Sequence, residues 1–490
     1  MSGNERRGSG TGRRRVPRQF GTIRVRPVSA RGRRVLAAAT VTAPALGYLV
    51  LRRVDAFTSL GGGGRPPFVL LYSLTCLWLL WQTLLAYAER PYRASPAQQA
   101  VLDASHVCVL IPVYNEDPLL LRRSLQPLLD QTRLPDSVNV TDDGSSVGYE
   151  AVREWFEPAA ADAGVRVVWQ RTDNRGKRHA QLTAAAASPD ADYFVTIDSD
   201  AELDRLALDE LHQPFADAEV QSVAAVVLSA NAHTNWLTRL FDLYAVSWQL
   251  NERSAQSVLG SVVVNTGGCA SYRAQVLRDN ADAYLNETFM GRPVTFSDDS
   301  LLTLLAKLRG KTVQQPTAYA RATMPQNLSH HLRQQIRWMR GSAIRSFWRV
   351  RYLPLKGYAF WNQALNWFIT LATAAVFTWF ILLQPISRTA PLAVLLLMPI
   401  ALGYLHSLRY LAIRPDNERL RTRLLVFACA PLMTLWSLTV LRAVRWYGLA
   451  TCARTGWLTR ETVEVYADGA VPLPSGPHRT AAGAAPRASD

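Results

Sequence analysis

The sequence contains little cysteine, and what it has is scattered. Five of its 490 residues are cysteines, and no two of them form a CxxC pair. This excludes a disulfide framework and is typical of a protein whose thiols face a reducing compartment. We also expect no signal peptide, because the first apolar run starts late and has no small-residue cleavage site.

Acidic residues are almost absent from the start of the chain. The first 34 residues hold eleven arginines and one acid, Glu5. Such a block is usually disordered, so we predict a basic disordered segment over residues 1–34. Nucleic-acid binding is the alternative interpretation of this charge. We expect no nucleic-acid partner, because an apolar run follows at once and the positive-inside rule accounts for the arginines.

Apolar runs long enough to cross a bilayer lie toward the two ends of the chain. Residues 35–51 and 67–88 flank a glycine-rich turn and predict a two-helix transmembrane hairpin over residues 35–90, since about 17–25 apolar residues span the hydrocarbon core. Further runs predict transmembrane helices within residues 358–413. Together they predict a multi-pass protein of the cell membrane whose central domain is cytoplasmic.

The apolar run at 424–449 has two interpretations. Its composition fits a span, but a span would place Arg442, Arg445 and Arg454 outside, against the positive-inside rule. We therefore predict an interfacial or re-entrant helix over residues 424–449, which leaves residues 450–466 at the cytoplasmic face. The last residues, 467–490, are rich in Ala, Pro and Gly and are predicted to be disordered.

Residues 100–328 lack any such run and predict a separate folded domain. Helical segments such as 118–130 and 180–187 lie between short apolar segments that predict strands at 107–113, 137–141, 165–170, 193–197 and 223–229. Strands that alternate with helices predict an α/β domain with a mainly parallel sheet.

Acidic residues follow three of these strands, in the sequences IPVYNED (111–117), VTDDGSS (140–146) and TIDSDAELD (196–204). Ligands of open parallel sheets bind beyond the carboxyl ends of the strands. Asp198 and Asp200 are two positions apart, so both carboxylates face the same way in an extended segment. Such a pair suits Mg²⁺ or Mn²⁺ that also takes phosphate oxygens as ligands.

Two further segments carry charge at predicted helix starts. Lys177 in NRGKRHA (174–180) can meet phosphate there, and a solvated basic loop is the alternative. Asp298 and Asp299 in FSDDSLLTLLAKL (296–308) suit the first turn of a helix through capping and the helix dipole. Alternatively, one of them is a general base toward a sugar hydroxyl, with its pKa raised by its neighbour.

The stretch QQIRWMRGS (334–342) lies in a basic segment just before the C-terminal apolar runs. Apolar residues recur there at spacings of four, three, four and four with arginines opposite, at Leu332, Ile336, Met339, Ala343 and Phe347. This pattern predicts amphipathic interfacial helices over residues 329–357. A membrane-surface helix alone does not account for Gln334 or Trp338.

Seven motifs, taken in order along the chain, resemble those of the family 2 glycosyltransferases: IPVYNE, DDGS, GKR, DSD, GGCASYR (267–273), SDD and QQIRW. The resemblance is greatest to the membrane-embedded processive branch, with its hyaluronan synthases and rhizobial chitooligosaccharide synthases, and extends more distantly to chitin and cellulose synthases. It implies a GT-A (Rossmann-like, mainly parallel) cytoplasmic catalytic domain inserted between transmembrane helices. It also implies a processive inverting enzyme that polymerises UDP-sugar and translocates a hyaluronan- or chitin-like polysaccharide.

The resemblance further implies roles for individual residues. Lys177 would contact the diphosphate, and Asp198 and Asp200 would hold the metal. Asp299 would be the catalytic base, beside Asp298. The uridine would be held by Tyr114, Glu116, Asp142 and Asp143. The acceptor site and the gating segment would involve Tyr272, Arg273, Gln334, Arg337, Trp338, Trp457, Thr459 and Arg460.

A few positions depart from the family pattern. Gly268 and Cys269 replace a Pro-Leu pair, Ser297 and Ser300 replace the flanks of GDDR, and Leu458 replaces the glycine of the WGTR gating motif. The sugar therefore stays open, and we expect a product that contains N-acetylglucosamine. The alternatives are a non-processive membrane glycosyltransferase with a lipid-linked acceptor, a cellulose-type synthase, and a transporter or scaffold with an inactive domain.

Overall fold

The computed structural model describes residues 25–27, 34, 66–378, 400–415 and 418–455. Within the predicted disordered segment, Val25–Pro27 form a short strand that pairs antiparallel with Ile413–Pro415. Outside the described residues lie the predicted span 35–51, the predicted tail 467–490 and the predicted gating residues Trp457, Thr459 and Arg460.

An eight-stranded sheet forms the centre of the domain. Its order is β3–β2–β1–β4–β7–β6–β8–β5, and the strands are β1 (Val107–Val113), β2 (Ser137–Asp142), β3 (Arg166–Arg171), β4 (Tyr193–Ile197), β5 (Glu202–Leu203), β6 (Val220–Ser229), β7 (Cys269–Arg273) and β8 (Lys311–Ala322). Parallel pairing joins β3, β2, β1 and β4, and also β6 with β8. Strand β7 is antiparallel to both β4 and β6. The predicted α/β domain with a mainly parallel sheet is confirmed.

Strand β1 is apolar throughout because side chains pack against both faces of the sheet at its centre. All seven residues of β1 are buried. Val107, Val109 and Ile111 pack into one core, whereas Cys108 and Leu110 pack into a second. Alternate side chains of a strand point to opposite faces, so a strand covered on both sides needs an apolar residue at every position.

Helices follow the strands close to where the sequence predicts them. The helix Pro118–Leu129 begins after Asp117, whose side chain accepts a hydrogen bond from the Leu119 N–H at 2.8 Å. Proline at the first helical position reinforces this start. The other helices of the domain are Pro96–Asp103, Glu150–Asp162, Lys177–Ala186, Ala207–His212, Trp236–Trp248, Ser254–Val258, Ala274–Arg278, Ala281–Leu285 and Asp298–Arg309.

The QQIRW motif lies in one continuous helix, Leu328–Tyr352, which we call the QQIRW helix. Asn327 caps its start by accepting a hydrogen bond from the His330 N–H at 2.9 Å. The predicted stripe with arginines opposite is wrong for its second half, because Arg345 is fully buried and Phe347 is 49% exposed. The physical reason is an ion pair between Arg345 and Glu287, which stabilises the guanidinium inside the protein.

Helices Pro66–Ala88 and Tyr358–Thr378 lie where spans were predicted, and the helices Leu420–Ala428, Ala430–Trp436 and Arg442–Ala450 cover the predicted interfacial or re-entrant segment. In the part of the chain that the structure describes, no single helix is both long and apolar enough to cross a membrane. One pair, Leu420–Ala428 with Ala430–Ala450, meets both conditions together and is bent by 40° at its break. The predicted spans and the interfacial or re-entrant helix at 424–449 stay predictions.

Candidate active site

The carboxyl ends of β1, β2 and β4 lie side by side, because β1 pairs in parallel with both other strands. The three acidic loops that follow these strands therefore meet at one edge of the sheet. A hydrogen bond from the Asp143 N–H to the Val113 carbonyl, 2.9 Å long, joins the first two loops. The three acidic segments found in the sequence thus lie together where ligands of open parallel sheets bind.

The first two loops depend on left-handed backbone at two positions. Asn115 has a φ of +46° and Gly144 a φ of +74°. A Cβ at Gly144 would lie 2.8 Å from the Asn174 nitrogen, so a side chain does not fit there. The Asn115 side chain accepts a hydrogen bond from the Ser146 N–H at 2.8 Å. Asn115 was not among the predicted site residues, although an Asn just after a strand is a signal for this conformation.

Tyr114 and Glu116 lie at the same edge, and they differ in exposure. Tyr114 is half-buried, whereas Glu116 is 2% exposed. The Glu116 carboxylate accepts a hydrogen bond from the Ser199 hydroxyl at 2.9 Å. The backbone N–H of Glu116 donates a hydrogen bond to the Tyr149 hydroxyl at 2.7 Å. Glu116 therefore joins the first acidic loop to the loop that carries Asp198.

Asp142 and Asp143 are both buried, and their carboxylates accept hydrogen bonds from backbone N–H groups of the surrounding loops. Asp142 accepts a hydrogen bond from the Ser145 N–H at 2.9 Å. Asp143 accepts from the N–H groups of Arg175 at 2.9 Å and Gly176 at 2.8 Å. Burial raises the pKa of Asp143, and these two backbone hydrogen bonds oppose that shift. Asp143 thereby fixes the loop immediately before Lys177.

Lys177 lies between two of the predicted acidic motifs. Its Nζ atom is 2.6 Å from an Asp198 oxygen and 3.1 Å from an Asp298 oxygen. Burial alone would lower the pKa of Lys177, but these two carboxylates more than offset it and raise the pKa above its ordinary value. The lysine is therefore charged and joins the DSD loop to the SDD helix. We call Lys177, Asp198, Asp298 and Asp299 the Lys177 cluster.

The two adjacent acids of the SDD helix have different environments. Asp298 is buried, which alone would raise its pKa, but Lys177 lowers that pKa below its ordinary value. Asp299 is half-buried, and burial together with the Asp298 charge raises its pKa to about 7. Two neighbouring carboxylates whose pKa values are pushed apart are typical of an acid–base site. Asp299 can exchange a proton near neutral pH.

The QQIRW helix contacts the start of the SDD helix just after its motif. Gly341 packs against Ser297, the residue before Asp298. Trp338 is 41% exposed, and its ring centroid is 6.0 Å from that of Phe241. Gln334 and Arg337, both half-buried, precede Trp338 on the same helix. An indole with an exposed face can bind a ring-shaped ligand.

Comparison with known proteins identifies the chain. Residues 108–280 match the model of the glycosyl transferase family 2. A hyaluronan synthase of Streptococcus pyogenes is 31% identical over 394 residues, which cover 78% of this chain and 88% of that protein. The chain belongs to glycosyl transferase family 2.

A second relative supports the same family 2 membership. An N-acetylglucosaminyltransferase of Sinorhizobium fredii is 28% identical over 423 residues, covering 86% of this chain and 99% of that protein. A solved mannosyltransferase from Pyrobaculum calidifontis is 21% identical, with a TM-score of 0.46 over 83% of this chain and 98% of its own. The predicted family and the predicted enzyme class, a glycosyltransferase, are confirmed.

The metal ligands predicted for this family 2 enzyme are Asp198 and Asp200. One carboxylate oxygen of Asp198 contacts the Lys177 Nζ atom. The other oxygen of Asp198 lies close to Gly267, where an added Cβ would be 3.0 Å from it. Among the described residues, no group of three or more His, Cys, Asp or Glu side chains is arranged to hold a metal. The donor chemistry fits Mg²⁺ or Mn²⁺ held by one or two carboxylates and completed by phosphate oxygens.

The structure does not bring every predicted residue to the family 2 site. Arg273 pairs with Tyr193 at the start of β4, the end of that strand opposite to Asp198, and donates to the Val220 carbonyl at 2.8 Å. Tyr272, by contrast, is 1% exposed and buried near Asp299; burial raises its pKa, and the Asp299 charge adds to the shift. The antiparallel direction of β7, which the sequence did not predict, accounts for the placement of Arg273.

Proposed function

We propose that this enzyme transfers a sugar from a UDP-sugar to a growing polysaccharide and keeps the product bound between transfers. The observation that carries the proposal is Lys177, which contacts both the DSD loop and the SDD helix. The groups suited to the donor diphosphate and the group suited to the acceptor hydroxyl are thereby parts of one ion-paired cluster. Such an arrangement favours direct transfer between two bound sugars.

The donor half of the proposed site uses the three acidic loops. Tyr114 and the buried Asp142 and Asp143 form the edge proposed for the uridine, and Glu116 holds the edge together through Ser199. Lys177 offers a positive charge to the diphosphate once the donor displaces part of its contact with Asp198. A metal held by Asp198 and Asp200 would stabilise the charge that develops on the leaving group.

The transfer step is proposed to use Asp299 as the base. The acceptor hydroxyl oxygen bonds to C1 of the donor sugar while the bond between C1 and the UDP oxygen breaks. The hydroxyl proton moves to Asp299, and attack opposite to the leaving group inverts the configuration at C1. A carboxylate with a pKa of about 7 accepts a proton more readily than one at its ordinary value.

The acceptor half is proposed to lie along the QQIRW helix. Trp338 offers an aromatic face to a sugar ring, whose C–H surface is apolar. Gln334 and Arg337 offer polar groups on the same helix. Trp457, Thr459 and Arg460, which lie outside the described residues, are proposed to belong to a gating segment. Because this helix is followed by the apolar helix Tyr358–Thr378, the product would pass between helices of a multi-pass membrane protein.

The names of the relatives support a hyaluronan- or chitin-like product. One is a hyaluronan synthase and the other an N-acetylglucosaminyltransferase, so N-acetylglucosamine is the sugar that we propose first. The test incubates the purified enzyme with UDP-N-acetylglucosamine, with UDP-glucuronic acid and with both, and measures UDP release and product length. Long product from the first donor alone indicates a chitin-like polymer, and a need for both indicates hyaluronan. Products of one or two added sugars would contradict processivity and favour a lipid-linked acceptor.

A further inference from the structure

Glu287 is a buried acid outside every motif of the sequence. It lies between the helix Ala281–Leu285 and a short strand, and it is 8% exposed. Its carboxylate accepts hydrogen bonds from Arg178 at 2.7 Å, from Arg345 at 2.6 and 3.1 Å, and from the Trp348 indole at 2.8 Å. Burial alone would raise the pKa of Glu287, but the two arginines hold it below its ordinary value.

Arg178 connects Glu287 to two motif-bearing helices. It follows Lys177 in the helix Lys177–Ala186. Its guanidinium also donates to the carbonyl of Phe296 at 2.8 Å, two residues before Asp298. The position of Glu287 is therefore fixed relative to the Lys177 cluster.

Arg345 connects Glu287 to the acceptor side. It belongs to the QQIRW helix, two turns after Trp338. Its Nε atom donates to the Ser300 hydroxyl at 3.1 Å, and Ser300 directly follows Asp299. One carboxylate thus holds together the helices that carry the phosphate-binding lysine, the base and the acceptor tryptophan.

We propose that Glu287 is a positioning residue for sugar transfer, which holds the QQIRW helix at a fixed distance from the SDD helix so that the acceptor hydroxyl meets Asp299. This inference rests on the proposed function, because it needs an acceptor at Trp338. A displacement of about 1 Å between reacting groups can lower a rate about 100-fold. When the acceptor is displaced, water reaches the donor instead. The water oxygen then bonds to C1, the bond from C1 to the UDP oxygen breaks, and the water proton moves to Asp299.

A second buried acid supplies a matched control. Glu418 is 5% exposed and contacts two arginines, Arg239 at 2.6 Å and Arg423 at 3.2 Å. These arginines belong to the helices Trp236–Trp248 and Leu420–Ala428, and neither helix carries a motif. Glu418→Gln therefore removes a buried, doubly paired charge whose two arginine partners lie outside the Lys177 cluster and the QQIRW helix.

The experiment compares full-length wild type, Glu287→Gln and Glu418→Gln, purified in the same detergent. It measures sugar transferred, UDP released, the KM for the donor and the unfolding temperature. We expect Glu287→Gln to lower the ratio of sugar transferred to UDP released about tenfold, with a donor KM within about twofold of wild type. Glu418→Gln is expected to keep the wild-type ratio even where its unfolding temperature falls.

Milder variants keep the test decisive if Glu287→Gln does not fold. Trp348→Phe removes one hydrogen bond to Glu287, and we expect a smaller fall of the same ratio. Glu287→Asp keeps the charge and is expected to retain more of the ratio than Glu287→Gln. Unchanged ratios in these variants, with normal transfer by the wild type, would overturn the positioning role. Absence of transfer by the wild type would overturn the proposed function and this inference with it.

Discussion

Gly341 and Ser297 are in direct contact across the active site. A Cβ built at Gly341 would lie 1.8 Å from Ser297 Oγ and 2.8 Å from Ser297 Cβ. Ser297 directly precedes Asp298 and has a φ of +58°, so this contact joins the QQIRW helix to the start of the SDD helix. The absence of a side chain at position 341 sets the distance between the two motifs.

Gly341→Ala is expected to separate these motifs. The added methyl group overlaps Ser297, so one helix has to move, and such overpacking typically costs about 1–3 kcal/mol. We expect the rate of sugar transfer to fall about tenfold or more. Steady-state kinetics and denaturant unfolding of the purified variant measure the two effects.

A compensating change tests the cause of that loss. Ser297→Gly removes the two atoms that overlap the new methyl group, and glycine suits a φ of +58°. The double variant Gly341→Ala with Ser297→Gly is therefore expected to recover most of the transfer rate. If the double variant were as slow as Gly341→Ala alone, the contact would not be what aligns the motifs.

Asp299→Asn is expected to abolish polymer formation and leave UDP binding nearly unchanged. An amide of the same shape accepts no proton, and loss of a general base typically lowers a rate about 10²–10⁴-fold. Radiolabelled sugar incorporation and calorimetric UDP binding provide the two measurements. Asp279→Asn is the control. Asp279 is an exposed acid that pairs with Arg309, the last residue of the helix that begins at Asp298. Substantial polymer from Asp299→Asn would remove this residue from the mechanism.

The pH dependence of the wild type follows from the raised pKa of Asp299. Below its pKa of about 7 the carboxyl is protonated and accepts no proton, whereas above it the carboxylate is the active form. We expect kcat/KM to rise with pH through about 7 and then to level off. Initial rates with saturating metal, from about pH 5.5 to about pH 8.5, test this. A profile that is flat between about pH 6 and 8 contradicts Asp299 as the base.

Lys177→Met is expected to weaken donor binding. Methionine preserves the length of the side chain and removes the charge that contacts Asp198 and Asp298, which leaves these carboxylates to repel the diphosphate. Removal of one such donor typically costs about 10²–10³-fold in rate, and we expect a higher KM as well. Arg153→Ala is the control, because Arg153 pairs with Glu157 on an exposed helix surface. Equal effects of both substitutions would refute a specific role for Lys177.

The strands of the sheet were largely predictable, because buried parallel strands are rich in apolar and β-branched residues. Predicted and observed bounds agree for β1 and β4. Strand β8 escaped prediction since Pro316 interrupts it, and the register shifts between Gln314 and Tyr319 to accommodate that proline. The direction of β7 has no local signal at all, and for that reason Arg273 was assigned to an acceptor site that it does not reach.

The members of the site were predictable as single motifs, but their pairing was not. The contact of Lys177 with Asp298 joins residues far apart in the sequence, and neither motif carries information about the other. The same holds for Arg345, which the helical pattern placed on an exposed face. Its burial depends on Glu287, an isolated acid in an unremarkable stretch of sequence.

Trp338 provides the last test, because it separates sugar binding from anchoring at a membrane surface. If its indole binds the acceptor ring, Trp338→Ala is expected to shorten the product and raise the acceptor KM about tenfold, and Trp338→Phe to retain much of the length. Product size on gels and acceptor kinetics measure both.

Trp361→Ala is the control for this substitution, because Trp361 is 59% exposed on the apolar helix Tyr358–Thr378. A surface anchor would respond to its loss as much as to the loss of Trp338, through weaker membrane association and unchanged product length. A product shortened by Trp338→Ala alone is what an acceptor site requires. Equal product lengths for the two alanine variants would leave the QQIRW helix as an anchor and place the acceptor elsewhere.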